Sequence, residues 1–239
     1  MAEAVENVLK SYGVSVITGA GLKEIKEGTA VYTKNGEEDT LDGDAILLAT
    51  GRGPNTEGLH AERAGVELTK RGAVVTDKHL RTTAENIWAA GDVCGNLQFT
   101  YISLDDNRII LSDMQGDGSR TTENRGAFAY SVFMEPSFSR AGLSEKEAAD
   151  KGLNYRVVRM NTDMIPKAKV LRKTTGMLKA VIDKDSGKIL GAALFCPESY
   201  EIINMVKLAM DHDLDYTVLR DFIYTHPTMS EGLNDLFAL

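Results

Sequence analysis

The stretch Asn86-Ile-Trp-Ala-Ala-Gly-Asp-Val93 constrains this chain more than any other. Ile87, Trp88, Ala89 and Ala90 read as a short strand, and Gly91 then lets the backbone approach whatever lies beyond its end. Asp92 puts a carboxylate at the carboxyl end of that strand, where open α/β sheets bind their ligands. A carboxylate there can accept hydrogen bonds from sugar or polyol hydroxyls. It can equally cap a strand-to-loop turn.

A second strand narrows the fold class. Asp44-Ala-Ile-Leu-Leu-Ala-Thr50 is an uninterrupted apolar run, the mark of a strand covered on both faces. Ahead of it, Val5, Val8, Leu9 and Tyr12 share one face of a helix over 2–12 that Gly13 stops, and 14–18 reads as a strand. Short strands at 22–25, 30–33 and 39–41 follow, with a turn at Asn35-Gly36. This helix–strand–meander–strand unit has the look of the back half of a dinucleotide-binding domain. Gly19-Ala-Gly21 and Gly51-Arg-Gly53 lack the third glycine and open no helix, so both read as turns.

The hinge Thr50-Gly-Arg-Gly-Pro-Asn55 leads to a short strand at 73–76 and then to the Asp92 strand. A helix from about Ser103 to Gly116 follows, so that helix amides face an electron-rich ligand group or simply complete a connection. Beyond a linker at 115–119 the pattern becomes α+β. Ser144-x-x-Glu147 is a capping box. Strands are expected at 155–160, 177–183 and 189–195, the last two joined by a hairpin. Helices are expected at 199–211 and 217–223. Thr228-x-x-Glu231 reads as a second capping box, opening a last helix over 229–239.

Pro227 biases His226 toward an extended conformation, so its imidazole projects from the loop. Glu231 can accept from one ring nitrogen and leave the other for proton transfer. Capping alone also accounts for Glu231, and a histidine before a capped helix is commonly structural.

At 239 residues, 43% apolar and 26% charged, the composition is that of an ordinary globular protein. A net charge of −8 argues against nucleic acid or an anionic membrane surface as partner. No apolar run approaches the roughly 20 residues that span a bilayer, and the acidic start is unlike a signal or transit peptide. Cys94 and Cys196 form no CxxC, which suits two ordinary thiols in a reducing cytoplasm.

Four blocks together resemble the pyridine nucleotide–disulfide oxidoreductases, the flavoprotein family of dihydrolipoamide dehydrogenase, glutathione reductase and mercuric reductase. They are Ala49 to Asn55, Ile87 to Val93, Pro136 through Gly142-Leu-Ser-Glu145, and His226 to Glu231, in the family's order and at its approximate spacing. Gln98 to Asp105 and Glu231 to Phe237 look closest to the reactive-chlorine-resistance, mercuric-reductase-like branch. The likeness covers nearly the whole chain but only the second half of a family enzyme.

The resemblance implies α/β remnants of doubly wound nucleotide-binding domains followed by an α+β domain. Residues 1–50 would finish the NAD(P) domain, 51–118 the FAD domain, and 119–239 would be the dimerisation domain of a homodimer. It implies FAD contacts from Asp92, Gln98, Phe99, Thr100 and Tyr101, and NAD(P) contacts from Gly51 and Leu22. His226, oriented by Glu231, would be the acid/base serving the partner subunit's redox cysteines. The substrate would be a disulfide or a metal ion of copper or mercury type.

Three family features are missing from these 239 residues: the glycine fingerprint for FAD, the glycine loop for NAD(P) and the redox cysteine pair. The sequence ends Phe237-Ala-Leu239 without the C-terminal cysteines of mercuric reductases, and it has His226 where those enzymes have tyrosine. Tyr101 stands where many relatives have histidine. The chain by itself is therefore expected to retain neither FAD nor NAD(P)H, and a catalytically inactive dimerisation fragment is the alternative.

Overall fold

The computed structural model describes Met1–Leu239. In chain order its elements are α1 (Ala2–Ser11), β1 (Ala20–Lys26), β2 (Thr29–Lys34), β3 (Glu37–Asp42), α2 (Thr100–Gln115), β4 (Ala129–Val132) and β5 (Phe138–Gly142). They continue with α3 (Glu145–Asp150), β6 (Tyr155–Asn161), α4 (Pro166–Leu171), β7 (Met177–Asp183), β8 (Ile189–Phe195), α5 (Ser199–Asp211), α6 (Thr217–Asp221) and α7 (Gly232–Ala238). Two compact units result: Gly19–Arg125, and Met1–Thr18 together with Gly126–Leu239. No helix is long and apolar enough to cross a membrane.

The larger unit is an antiparallel sheet in the order β4-β5-β8-β7-β6. Along β7 the side chains of Leu178, Ala180 and Ile182 are fully buried, while Lys179 points to the other face. That period of two is what a sheet with one face on a helical layer requires. The layer is α5, through Ile202, Val206 and Ala209, and α7, through Leu233, Leu236 and Phe237, with Met229 just ahead of α7. Burying one such side chain contributes roughly 1.5–3 kcal/mol, so this core carries most of the unit's stability.

Three hydroxyls sit inside it without cost because they satisfy one another. Ser137 Oγ lies 2.8 Å from Ser199 Oγ and donates to the Cys196 carbonyl at 3.0 Å, and Ser139 Oγ lies 2.9 Å from Ser199 Oγ. Over the opposite face, α1 and the sheet enclose a largely apolar cavity of about 480 Å³, walled by Val5, Leu9, Val132, Phe138 and Val181.

The smaller unit holds the meander β1-β2-β3. Asn35 and Gly36 both take positive φ, 55° and 85°, as a two-residue hairpin turn demands. Its core is small: Leu80, Cys94 and Ile109, with Ala89, Val93 and Ile110 against them.

Several expected strands are corrected. Residues 14–18 and 44–50 form no ladder, and Leu47 is 89% exposed. Apolar patterning makes a strand only where a neighbour accepts its backbone hydrogen bonds, and neither segment has one. The expected strands at 73–76 and 87–92 reduce to isolated bridges, Leu68 with Val74, Thr76 with Thr82 and Arg81 with Trp88. Gly91–Cys94 is a turn of 3-10 helix.

The second capping box is half formed. Glu231 accepts from the Thr228 amide, but Thr228 Oγ1 donates backward to the Thr225 carbonyl, so α7 starts at Gly232. β4, β5 and α4 were not expected.

Candidate functional site

Two constellations carry the candidate chemistry, one in each unit. The first is the turn at Asp92. Ala90 is extended, Gly91 reverses the chain with φ 76°, and Gly95 closes the turn with φ 67°. The reversal lies directly against α2, since a Cβ on Gly91 would come within 2.9 Å of Ser103 Oγ. Only glycine suits this position, by dihedral and by space.

Asp92 follows with its side chain 45% exposed and Arg52 Nη1 at 3.8 Å, a loose and solvated pair. The carboxylate is therefore accessible, with capacity for further donors. Gln98 and Phe99 lead into α2, with Phe99 at its N-cap, and Thr100 and Tyr101 begin the helix. The Phe99 and Tyr101 ring centroids are 5.4 Å apart, and burial raises the Tyr101 phenol above its ordinary pKa.

The structure thus brings the Asp92 turn and the start of α2 together. Gly51, with φ 108° and nothing within 4 Å of where a Cβ would stand, connects to this turn only through its neighbour Arg52. Leu22 stands half-exposed on β1 opposite Tyr32.

The second constellation is His226–Glu231. The ring nitrogen Nδ1 lies 2.8 Å from Glu231 Oε1, and Glu231 Oε2 accepts the Thr228 amide at 2.8 Å. These bonds, the Thr228 amide first and His226 second, hold the Glu231 carboxyl below its ordinary pKa. A backbone-anchored carboxylate fixes the ring plane and assigns the proton to Nδ1, leaving Nε2 as the exchanging nitrogen. His226 is 68% exposed, whereas Glu231 is 19% exposed.

The preceding loop is tied down by Asn234, whose amide donates to the carbonyls of Arg220 at 2.7 Å and Phe222 at 2.9 Å. Phe222 and Ile223 remain exposed beside it. The His226-Pro227 peptide is cis.

Neither cysteine belongs to these constellations. Both are buried and free. Desolvation pushes the Cys94 thiol up to about 11 and the Cys196 thiol up to about 12.

Sequence reasoning missed a set of buried charges. On α2, Asp105 takes Arg120 Nε at 3.0 Å, and Asp106 pairs with Arg125 while accepting the Gly91 amide at 2.7 Å. The only local signal was two adjacent carboxylates on a helix whose neighbours Ile102 and Ile109 are core residues.

Comparison with known proteins fits this geometry. Residues 1–106 match the family model described as pyridine nucleotide-disulphide oxidoreductase, and residues 128–237 match the dimerisation domain of the same family. The probable pyridine nucleotide-disulfide oxidoreductase RclA of Escherichia coli (strain K12) is 47% identical over 239 residues, covering 100% of this chain and 54% of that protein. Mercuric reductase of Staphylococcus aureus is 34% identical over 238 residues, covering 98% of this chain and 43% of that protein.

Among solved structures, the HOCl-induced flavoprotein disulfide reductase RclA from Escherichia coli matches with TM-score 0.91 and 46% identity, over 100% of this chain and 55% of that one. The Cu(II) complex of that reductase matches with TM-score 0.91 and 46% identity, over 99% of this chain and 54% of that one. The chain spans about half the length of the curated relatives it matches. With both family models aligned in order along it, the chain belongs to the pyridine nucleotide-disulphide oxidoreductases.

Proposed function

We propose that this chain supplies part of the flavin site and the acid/base pair of an FAD- and NAD(P)H-dependent oxidoreductase. The observation that carries the proposal is the His226 ring held by a backbone-anchored Glu231 at 2.8 Å and largely open to solvent. A histidine serving only a structural role has no need of so exposed a ring on so fixed a carboxylate.

In this scheme His226 Nε2 takes the proton from an incoming thiol and later returns one to a leaving thiolate, while Glu231 stabilises the doubly protonated ring. The dithiol lies outside this chain, because Cys94 and Cys196 are buried thiols at neutral pH. Residues 119–239 would form the homodimer interface through which His226 reaches a partner's cysteines. The substrate would be a disulfide, or a metal ion of copper or mercury type.

The residues of the Asp92 turn suit one portion of FAD. An accessible carboxylate at a glycine-opened turn is an acceptor for ribityl hydroxyls, and Gln98, Phe99, Thr100 and Tyr101 give a polar and aromatic edge at a helix N-terminus. When bound, the flavin would supply the relay of electrons from nicotinamide to thiol. Asp92 would orient it, and residues 98–101 would exclude water from its edge. Gly51, with Leu22 in support, would approach the nicotinamide cofactor. On this reading residues 1–50 belong to the NAD(P) domain and 51–118 to the FAD domain, and two free cysteines fit a cytoplasmic setting.

In the full-length flavoprotein, His226→Ala should slow reaction with thiol or disulfide by about 10²–10⁴-fold and spare flavin reduction by NAD(P)H. Stopped-flow absorbance separates the two half-reactions, and equal loss in both would remove His226 from its role.

A second reading is a catalytically inactive dimerisation fragment. It is favoured by the unpaired apolar segment 44–50, with Leu47 89% exposed, which suits a chain that needs more polypeptide around it. On either reading the purified 239-residue chain should be colourless, dimeric by light scattering and inert toward NADH. A flavin absorption band with NADH oxidation would instead make the chain an enzyme by itself.

A further inference from the structure

Two carboxylates of α2, Asp105 and Asp106, are buried, and the proposed chemistry employs neither. Burying a carboxylate is costly unless it is paired and hydrogen-bonded. Asp105 is paired with arginines alone: its Oδ1 accepts from Arg120 Nε at 3.0 Å and lies 3.9 Å from Arg108 Nη1, while its Oδ2 faces Arg125 Nε at 3.1 Å in an ion pair without hydrogen-bond geometry. Asp106 also holds a backbone group. Its Oδ1 is paired with Arg125, but its Oδ2 accepts the Gly91 amide at 2.7 Å.

That amide belongs to the one residue at which the chain reverses before Asp92. A charge-assisted bond from an amide to a 3%-exposed carboxylate is among the stronger hydrogen bonds a protein makes. It grips Gly91 from one side, while Ser103 fills the space where a side chain would stand on the other. The held Ala90–Gly91 peptide lies one residue before Asp92, so it anchors the near end of the turn that carries the Asp92 carboxylate.

We infer that Asp106, itself held by Arg125, is a positioning residue for Asp92: it fixes the Gly91 peptide from which Asp92 presents its carboxylate to a polyol hydroxyl. The inference rests on the reading of Asp92 as that acceptor. Asp106 touches no ligand and acts through the Gly91 amide. Any loss of this bond releases the turn without removing the Asp92 carboxylate.

The test is nuclear magnetic resonance on the isotope-labelled 239-residue chain, with FAD at millimolar concentration as probe. Asp106→Ala should speed exchange of the Gly91 amide about tenfold or more and shift the Asp92 carboxyl carbon. Asp106→Asn, which keeps an acceptor oxygen, should restore most of the protection, and Asp92→Asn should leave the Gly91 amide as it is.

Should Asp106→Ala fail to fold around an uncompensated Arg125, the variant with Arg125→Met as well removes both charges. Unchanged exchange at Gly91, or acceleration equal to that at the core amides of Leu80 and Ile109, would overturn the positioning role.

FAD should perturb the Asp92 resonances in the parent chain and do so less in Asp106→Ala. Equal perturbation in both would also overturn the role. No perturbation in either would show that Asp92 accepts no polyol hydroxyl in this chain alone; undiminished FAD retention by Asp92→Asn in the full-length flavoprotein would refute it as the acceptor, and the Gly91 exchange rates would still decide whether Asp106 holds the turn.

Discussion

Glu231 divides its two oxygens between a side chain and the backbone: Oε1 lies 2.8 Å from His226 Nδ1, and Oε2 accepts the Thr228 amide at 2.8 Å. The amide makes the carboxylate a fixed point, and the imidazole is aligned to it. Without that anchor an exposed histidine samples several rotamers and both tautomers.

The tautomer is the measurable consequence. In the unmodified chain, the neutral His226 ring should carry its proton on Nδ1, visible in the nitrogen shifts of the labelled imidazole. Glu231→Ala should move the proton predominantly to Nε2, the form preferred by an unconstrained ring. An unaltered pair of ring nitrogen shifts in that variant would mean the bond does not select the tautomer.

Glu147 provides a pH prediction. Its carboxylate accepts the Ser144 amide at 2.7 Å and pairs with Arg140 at 2.7 Å, while Ser144 Oγ accepts the Glu147 amide at 3.2 Å. These bonds, the Ser144 contacts foremost, hold its pKa down to about 2 from the ordinary 4.5. Because the folded value is the lower one, the stabilisation is present above pH 4.5 and lost as pH falls toward about 2. Thermal melts between these limits should show a smaller acid slope for Glu147→Gln than for the unmodified chain. Identical slopes would contradict the cap's contribution.

The layer beneath the five-stranded sheet should be unforgiving. Leu236 is fully buried in the cluster that joins α5 and α7 to β7 and β8. Leu236→Ala should cost about 2–5 kcal/mol in urea unfolding. The exposed Leu47→Ala should change stability by about 0.5 kcal/mol or less. Reversed magnitudes would mean that the core lies elsewhere.

Thiol chemistry should be silent in the folded chain. Burial raises Cys94 to about 11 and Cys196 to about 12, so the thiolate fraction at pH 8 is small at both. Labelling with iodoacetamide should run on the order of 10²-fold slower than for an exposed cysteine, and become fast for both in denaturant. Rapid native labelling of either residue would show that its burial is not maintained.

Much of the architecture was legible locally. The Asn35-Gly36 turn, the Ser144 cap, the strands β6, β7 and β8 and the helix α5 depend on dihedral preference and side-chain period, both written in consecutive residues. The short interval from His226 to Glu231 was readable for the same reason: Pro227 and the start of α7 leave few ways to join them. The glycine-opened turn that carries Asp92 was recognisable, though residues 87–92 make only isolated bridges.

What the tertiary structure alone decided concerns partners distant in sequence. Residues 14–18 and 44–50 have the composition of strands, yet a strand exists only when another backbone completes its ladder, and no pattern within the segment supplies one. Asp106 looks like any helical carboxylate until folding brings Gly91 and Arg125 to its two oxygens. Sequence by itself determined which groups are available for the chemistry; the fold determined which of them are buried, paired and aimed, because desolvation and hydrogen-bond direction are properties of the packed neighbourhood.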